Sequence, residues 1–303
     1  MQRPKVIVPL LTPLTRDSAL QLSAVPKLVD FFAAAGVDAL WIAGTTSEGP
    51  LLSALERRKL TEAALETAGS RIGVTLQVGC ASTAETLELA SFARDAGASS
   101  VACVTPYYYA LSEAELARHY RAVAAAADPL PLYLYTIPGR AGNAISVSLA
   151  RELIQVQNVK GIKDSTGSIT MLLDYLEVGG LEVYSGSDPF APPALLAGAA
   201  GLVSGLANVL PELYVGLAAA HASGAAGEFI TFYRAILAAS QALLQGSNFS
   251  LLKALLSRRI GQEIGWGRAP LPPLGEGMLE TSLARLRSAL RATPLADQSW
   301  LES

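Results

Sequence analysis

A chain of 303 residues that is 51% hydrophobic and only 16% charged can bury a large core, which argues against disorder. A formal net charge of −3 argues against nucleic acid or an anionic membrane as partner. Two cysteines, Cys80 and Cys103, and two histidines, His119 and His221, with no paired spacing, argue against a disulfide framework and a zinc site.

In chain order, short apolar runs predict strands at VIVPLLTP (6–13), ALWIAG (39–44), GVTLQVG (73–79) and SVACVTP (100–106). Four more follow at PLYLYTI (131–137), VKGIKD (159–164), LEVYSGS (181–187) and GLVSGLA (201–207). Continuous rather than alternating apolar character means strands covered on both faces, as in a parallel sheet. Between them lie longer segments with apolar residues at helical spacing. Ser53/Glu56, Ser82/Glu85 and Ser112/Glu115 carry the capping-box signature of a helix start. Gly36, Gly97 and Gly198, each after alanine, supply the left-handed residue that stops a helix. The repeated strand–cap–helix–glycine unit predicts an α/β fold, a (β/α)8 TIM barrel over residues 1–224, with a doubly wound sheet as the alternative. From 225 to 303 no strand is predicted. Three helical stretches, GEFITFYRAILAASQALL, SLLKALLSRRI and GMLETSLARLRSAL, read as a C-terminal extension. The N-terminus enters a strand without a leader pattern, and no run of about 18 apolar residues occurs. A cytoplasmic protein is expected.

In barrels of this kind chemistry collects at the carboxyl ends of the strands. Those ends hold Thr12, the turn Gly44–Gly49, Thr105 to Tyr109, Tyr135 to Arg140, Lys163 to Ser165, Ser185 to Asp188, and Ser204-Gly205. Hydroxyls, one lysine and one arginine converge, without a metal-ligand set. Lys163 stands out because lysines are rarely buried unless something holds the charge. In a desolvated pocket lysine loses proton affinity and becomes a nucleophilic amine. Taken singly, each residue has an ordinary reading. Lys163 can snorkel to solvent, Gly44–Gly49 can be a tight turn, and consecutive tyrosines can pack a rim. Arg140 can be a solvated loop residue.

Together, GTTSEGPLLSALER, VTPYYYALS, YLYTIPGRAG, GIKDSTG and YSGSD, in this order, resemble the dihydrodipicolinate synthase / N-acetylneuraminate lyase family. The resemblance covers nearly the whole chain, including GRAPLPPL near the C-terminus. It implies a class I aldolase without cofactor, in which Lys163 forms a Schiff base with the keto carbon of pyruvate. It makes Tyr135 the proton donor and acceptor, in a relay with Thr45 and Tyr108. Tyr108 would come from a neighbouring subunit, implying at least a dimer and usually a homotetramer. Thr45 and Thr46 would hold the pyruvate carboxylate, with Ser47, Gly186 and Val203 as further substrate contacts. Arg140 matches the arginine that receives the carboxylate of aspartate semialdehyde, a role its planar fork suits.

Ser47 replaces the usual glycine of G-T-T-G-E, and Thr136 the asparagine common in Y-N-x-P. Gly49-Pro50-Leu-Leu-Ser is closer to the lyase and sugar-acid aldolase branches. Ala81, Ala54 and Arg57 stand where a regulatory lysine site would have its polar residues, so lysine feedback is not expected. Three readings stay open: a dihydrodipicolinate-synthase-like lyase, an aldolase for a 2-keto-3-deoxy sugar acid or similar 4-hydroxy-2-keto acid, and a non-catalytic keto-acid-binding barrel. Lys163, Tyr135 and Thr45 speak against the third, since binding alone needs no nucleophile.

Overall fold

The computed structural model describes residues 2–243, 248–296 and 298–302. Eight parallel strands close a barrel in simple sequence order. They are β1 Lys5–Pro9, β2 Ala39–Ile42, β3 Gly73–Gln77, β4 Ser100–Val104, β5 Leu132–Thr136, β6 Val159–Asp164, β7 Glu182–Ser185 and β8 Gly201–Val203. Closure is made by β8 against β1, with Val6 opposite Leu202 and Ile7 opposite Val203. The surrounding helices are α1 Val25–Ala34, α2 Ala54–Ala68, α3 Thr83–Asp95, α4 Glu113–Ala127, α5 Pro138–Ala141, α6 Val147–Leu153, α7 Ile169–Leu176, α8 Ala191–Leu196 and α9 Pro211–Ser223.

Strand alternation sorts the barrel into two apolar compartments. Val6, Val8, Leu40, Ile42, Leu132, Leu134 and Ile162 face outward into one large cluster with the helices. Ile7, Trp41, Val104, Tyr135, Tyr184 and Val203 face inward in a second, smaller cluster. Lys163 shares the inward face, opposite Tyr135 on one side and Tyr184 on the other. Below it the floor is polar but satisfied: the Glu182 carboxylate accepts from the hydroxyls of Tyr133 and Tyr184. Burial pushes the Tyr133 phenol up to about 12 and Tyr184 further still, so both remain neutral donors.

Gly161, two residues before Lys163, has no room for a side chain. A Cβ there would lie 2.3 Å from the Glu182 carbonyl oxygen, and that atom belongs to a barrel strand that cannot yield. Gly161→Ala is therefore expected to destabilise the fold by about 1–3 kcal/mol. A lowered thermal-unfolding midpoint would show it, and an unchanged midpoint would contradict this packing.

All eight strands lie where the apolar runs predict them, but the runs overshoot at the carboxyl ends. After β1, Leu10 and Leu11 stay buried while leaving the ladder; the Leu11 N–H is taken by the Asn208 side chain. After β8, Leu206–Asn208 turns into a 3-10 helix. Apolar character reports burial, and at a barrel mouth burial continues into the loops. The capping boxes form at Ser53–Glu56 and Ser112–Glu115. The one expected at Ser82–Glu85 does not: Ser82 is the N-cap without a side-chain bond. Instead the Thr86 hydroxyl donates to the Ser82 carbonyl and accepts from the Cys80 N–H. Gly36, Gly97 and Gly198 each adopt positive φ at the helix ends.

The C-terminal part holds three helices among the described residues, α10 Ala226–Leu243, α11 Phe249–Ile260 and α12 Met278–Leu290. Leu252 and Leu255 of α11 and Leu286 of α12 belong to the same cluster as the outside of the barrel. Gly224, with φ +74°, makes the turn between α9 and α10. No helix among the described residues is long and apolar enough to cross a membrane.

Candidate active site

Lys163 projects from the end of β6 into the barrel mouth and is 6% exposed. Its ammonium nitrogen stands 4.2 Å from the centre of the Tyr135 ring and 5.2 Å from that of Trp41. No carboxylate among the described residues lies within ion-pair distance of it. The adjacent carboxylate, Asp164, faces the other way by strand alternation. It accepts the Thr166 N–H instead, and burial raises its pKa. The amine is thus buried against two aromatic faces, a weakly stabilising arrangement worth about 0.5–2 kcal/mol, with no counter-ion among the described residues.

Tyr135 is buried, its ring edge-on to Trp41 at 5.9 Å. Its hydroxyl lies 3.2 Å from the Thr45 hydroxyl, and either can donate. Thr45 sits on the turn after β2, which folds back tightly. The Glu48 N–H donates to the Thr45 carbonyl and the Gly49 N–H to the Gly44 carbonyl. A Cβ on Gly49 would fall 1.9 Å from the Ala43 oxygen, so glycine is required there.

Two adjoining cavities share Thr45, Tyr135 and Ile137. The inner one, about 270 Å³, is lined by Thr46, Lys163, Ser165, Gly186, Ser187 and Val203 besides the shared residues. Gly186 permits close approach: a Cβ there would meet the Ser165 hydroxyl at 2.1 Å and the Lys163 Cε at 3.1 Å. The outer cavity, about 300 Å³, is lined by Arg140, Tyr107, Leu51, Phe249, Pro270 and Leu271 among others. Burial raises the pKa of Tyr107. Two further polar residues on this wall already have their polar atoms engaged. Gln77 bonds the backbone of Gly79 and Val104; Glu48 pairs with Lys253.

Of the residues singled out from sequence, Lys163, Tyr135, Thr45, Thr46, Gly186 and Val203 meet around the inner cavity, and Arg140 lines the outer one. Two lie elsewhere. Ser47 is fully buried beneath the turn, its hydroxyl donating to the Trp41 carbonyl and its own carbonyl accepting from Thr12. Tyr108 is 87% exposed on the single chain, at φ +85°, with its ring against Tyr109. A tyrosine in that region of backbone space is strained. Thr136 is also buried, its hydroxyl accepting the Ile145 N–H, so it braces the following loop. Sequence reasoning missed Trp41, Phe249, Pro270 and Leu271. The inward register of Trp41 was available from alternation along β2, whereas the other three had no local signal. Among the described residues no group of three or more His, Cys, Asp or Glu is placed to hold a metal ion. Cys80 and Cys103 are buried and unbridged.

Residues 2–289 match the profile of the Dihydrodipicolinate synthetase family. A 4-hydroxy-tetrahydrodipicolinate synthase of Aromatoleum aromaticum is 38% identical over 197 residues, 64% of this chain and 67% of that protein. An N-acetylneuraminate lyase of Escherichia coli is 36% identical over 197 residues, 65% of this chain and 66% of that protein. The crystal structure of a dihydrodipicolinate synthase from Acinetobacter baumannii complexed with pyruvate is similar with a TM-score of 0.87. It is 32% identical, over 96% of this chain and 99% of that one.

Proposed function

The chain belongs to the dihydrodipicolinate synthetase family of lyases and aldolases, and we propose that it condenses pyruvate with an aldehyde through a Schiff base on Lys163. The observation that carries this reading is the buried Lys163 amine, without a counter-ion among the described residues, under Tyr135 and beside the Tyr135–Thr45 hydroxyl pair. The amine adds to the pyruvate keto carbon, and water leaves as the iminium forms. The iminium draws electrons from the methyl carbon, which gives up a proton to become an enamine. That carbon then attacks the aldehyde carbon. The aldehyde oxygen takes a proton, and water hydrolyses the new iminium to free Lys163. Cleavage of a 4-hydroxy-2-keto acid is the same path reversed. Tyr135 suits the proton transfers because a phenol both gives and accepts a hydrogen bond. The turn bearing Thr45 and Thr46 receives the keto-acid carboxylate. The exposed, strained Tyr108 supports a homo-oligomer, a dimer or tetramer, in which its ring enters the neighbouring subunit's site.

For the aldehyde, a synthase-like reading with aspartate semialdehyde is favoured by Arg140 on the outer cavity. The apolar walls there leave few partners for a hydroxylated chain. A sugar-acid reading is favoured by Ser165 and Ser187, which line the inner cavity with hydroxyls that have no hydrogen bond to a described residue. Arg140→Ala separates the two. Loss of a charge-assisted carboxylate contact is expected to lower kcat/KM for aspartate semialdehyde by about 10–100-fold. The value for a hydroxylated aldehyde such as glyceraldehyde should change much less. Equal losses for both would contradict the synthase-like reading.

A further inference from the structure

The turn that carries Thr45 and Thr46 is clamped by residues more than two hundred positions away. Glu48 sits at φ +60°, a conformation that a side chain adopts only when its surroundings hold it there. Its carboxylate pairs with the Lys253 ammonium at 2.6 Å, and both side chains are 0% exposed. The second carboxylate oxygen accepts the Arg268 N–H at 2.5 Å. Lys253 also donates to the Trp266 carbonyl at 2.7 Å. The Arg268 guanidinium donates to the Leu51 carbonyl at 2.8 Å and reaches both oxygens of Glu56, the capping-box residue of α2. One C-terminal segment therefore grips the turn at Glu48, at Leu51 and at the helix start beyond it.

A buried ion pair is a weak route to stability, because desolvating both charges offsets most of their attraction. It is a strong route to geometry, since one carboxylate oxygen is held against the Lys253 ammonium and the other accepts the Arg268 backbone N–H. Burial pulls the Lys253 pKa down while Glu48 pulls it back up. The same segment also shapes the outer cavity: Phe249 lies one helical turn before Lys253, and Pro270 and Leu271 follow Arg268 closely.

We propose that Lys253 is a positioning residue for keto-acid capture, fixing through Glu48 the turn whose Thr45 and Thr46 receive the carboxylate. The C-terminal helices are then a working part of the substrate site, although no residue of the Thr45–Thr46 turn comes from them. This rests on the reading of that turn as the carboxylate site.

The test compares the full-length protein with Lys253→Met and with the double variant Glu48→Gln/Lys253→Met, which leaves no unpaired buried charge if the single variant fails to fold. Melting temperatures come first. Then, well below the lowest of them, the pyruvate concentration giving half-maximal borohydride-trapped adduct is measured by intact mass. Displacing the turn is expected to raise that concentration on the order of tenfold, with KM for pyruvate rising more than kcat falls. The adduct should still reach the wild-type level at saturating pyruvate. Folded variants that trap pyruvate at the wild-type concentration overturn the inference and leave Lys253 a structural residue. Absence of an adduct on the wild-type protein overturns the Schiff-base reading itself, and the inference with it.

Discussion

Replacing Lys163 by methionine is expected to lower kcat by on the order of 10⁴-fold or more, as removal of a covalent nucleophile does, without lowering the melting temperature. The substitution keeps an unbranched side chain and removes the amine. A thioether packs well against aromatic rings, and Tyr135 and Trp41 are the rings it would meet. The stability half of the prediction follows from the absence of a counter-ion. An ammonium buried without a carboxylate partner is a cost to folding rather than a support, so losing it has little to undo. A lysine kept for structure would behave in the opposite way, with a falling melting temperature and surviving turnover. Steady-state turnover of pyruvate with either aldehyde, together with thermal unfolding, decides between the two. Activity above about one hundredth of wild type would be too much for a lost nucleophile. Turnover by the unsubstituted protein in the same assay would exclude the reading of a non-catalytic keto-acid barrel, which predicts none.

Tyr135→Phe is expected to lower kcat by about 10²–10³-fold, in the range attributed to a positioned proton donor. Only one oxygen leaves. The ring stays edge-on to Trp41 and over the lysine amine, so the cavity keeps its shape. Thr45 loses the partner at 3.2 Å and has no phenol through which to pass a proton. Carboxylate capture by the turn does not involve this hydroxyl, so KM for pyruvate should move far less than kcat. The rate of adduct formation under borohydride should fall along with kcat. A loss smaller than tenfold would remove Tyr135 from the proton path.

The barrel was readable because each strand is buried on both faces, which makes it a continuous apolar run between helix caps and glycine stops. Where a run also holds loop residues, as at Leu10 and Leu11 or after Val203, the same signal overstated the strand. The Ser82 box does not form, and the helix start is tied instead by Thr86, four residues on, to the Ser82 carbonyl and the Cys80 N–H, bonds that the Ser–Glu spacing does not reveal. At the site, alternation and strand ends led to Lys163 and Tyr135, and the family resemblance supplied their roles. Ser47 escaped both: residues 45 and 46 of the turn line the cavity, while the next turns under Trp41. The clamp of Lys253 and Arg268 on Glu48 had no local signature at all. It joins segments separated by more than two hundred residues, and nothing in either segment alone names the other.

The most direct measurement is borohydride reduction of the folded protein in excess pyruvate, followed by peptide mass mapping. The chain has six lysines, Lys5, Lys27, Lys59, Lys160, Lys163 and Lys253, so the map is unambiguous. The account predicts a single pyruvate-derived adduct, on the peptide containing Lys163. No adduct, or one on any of the other five lysines, would contradict it.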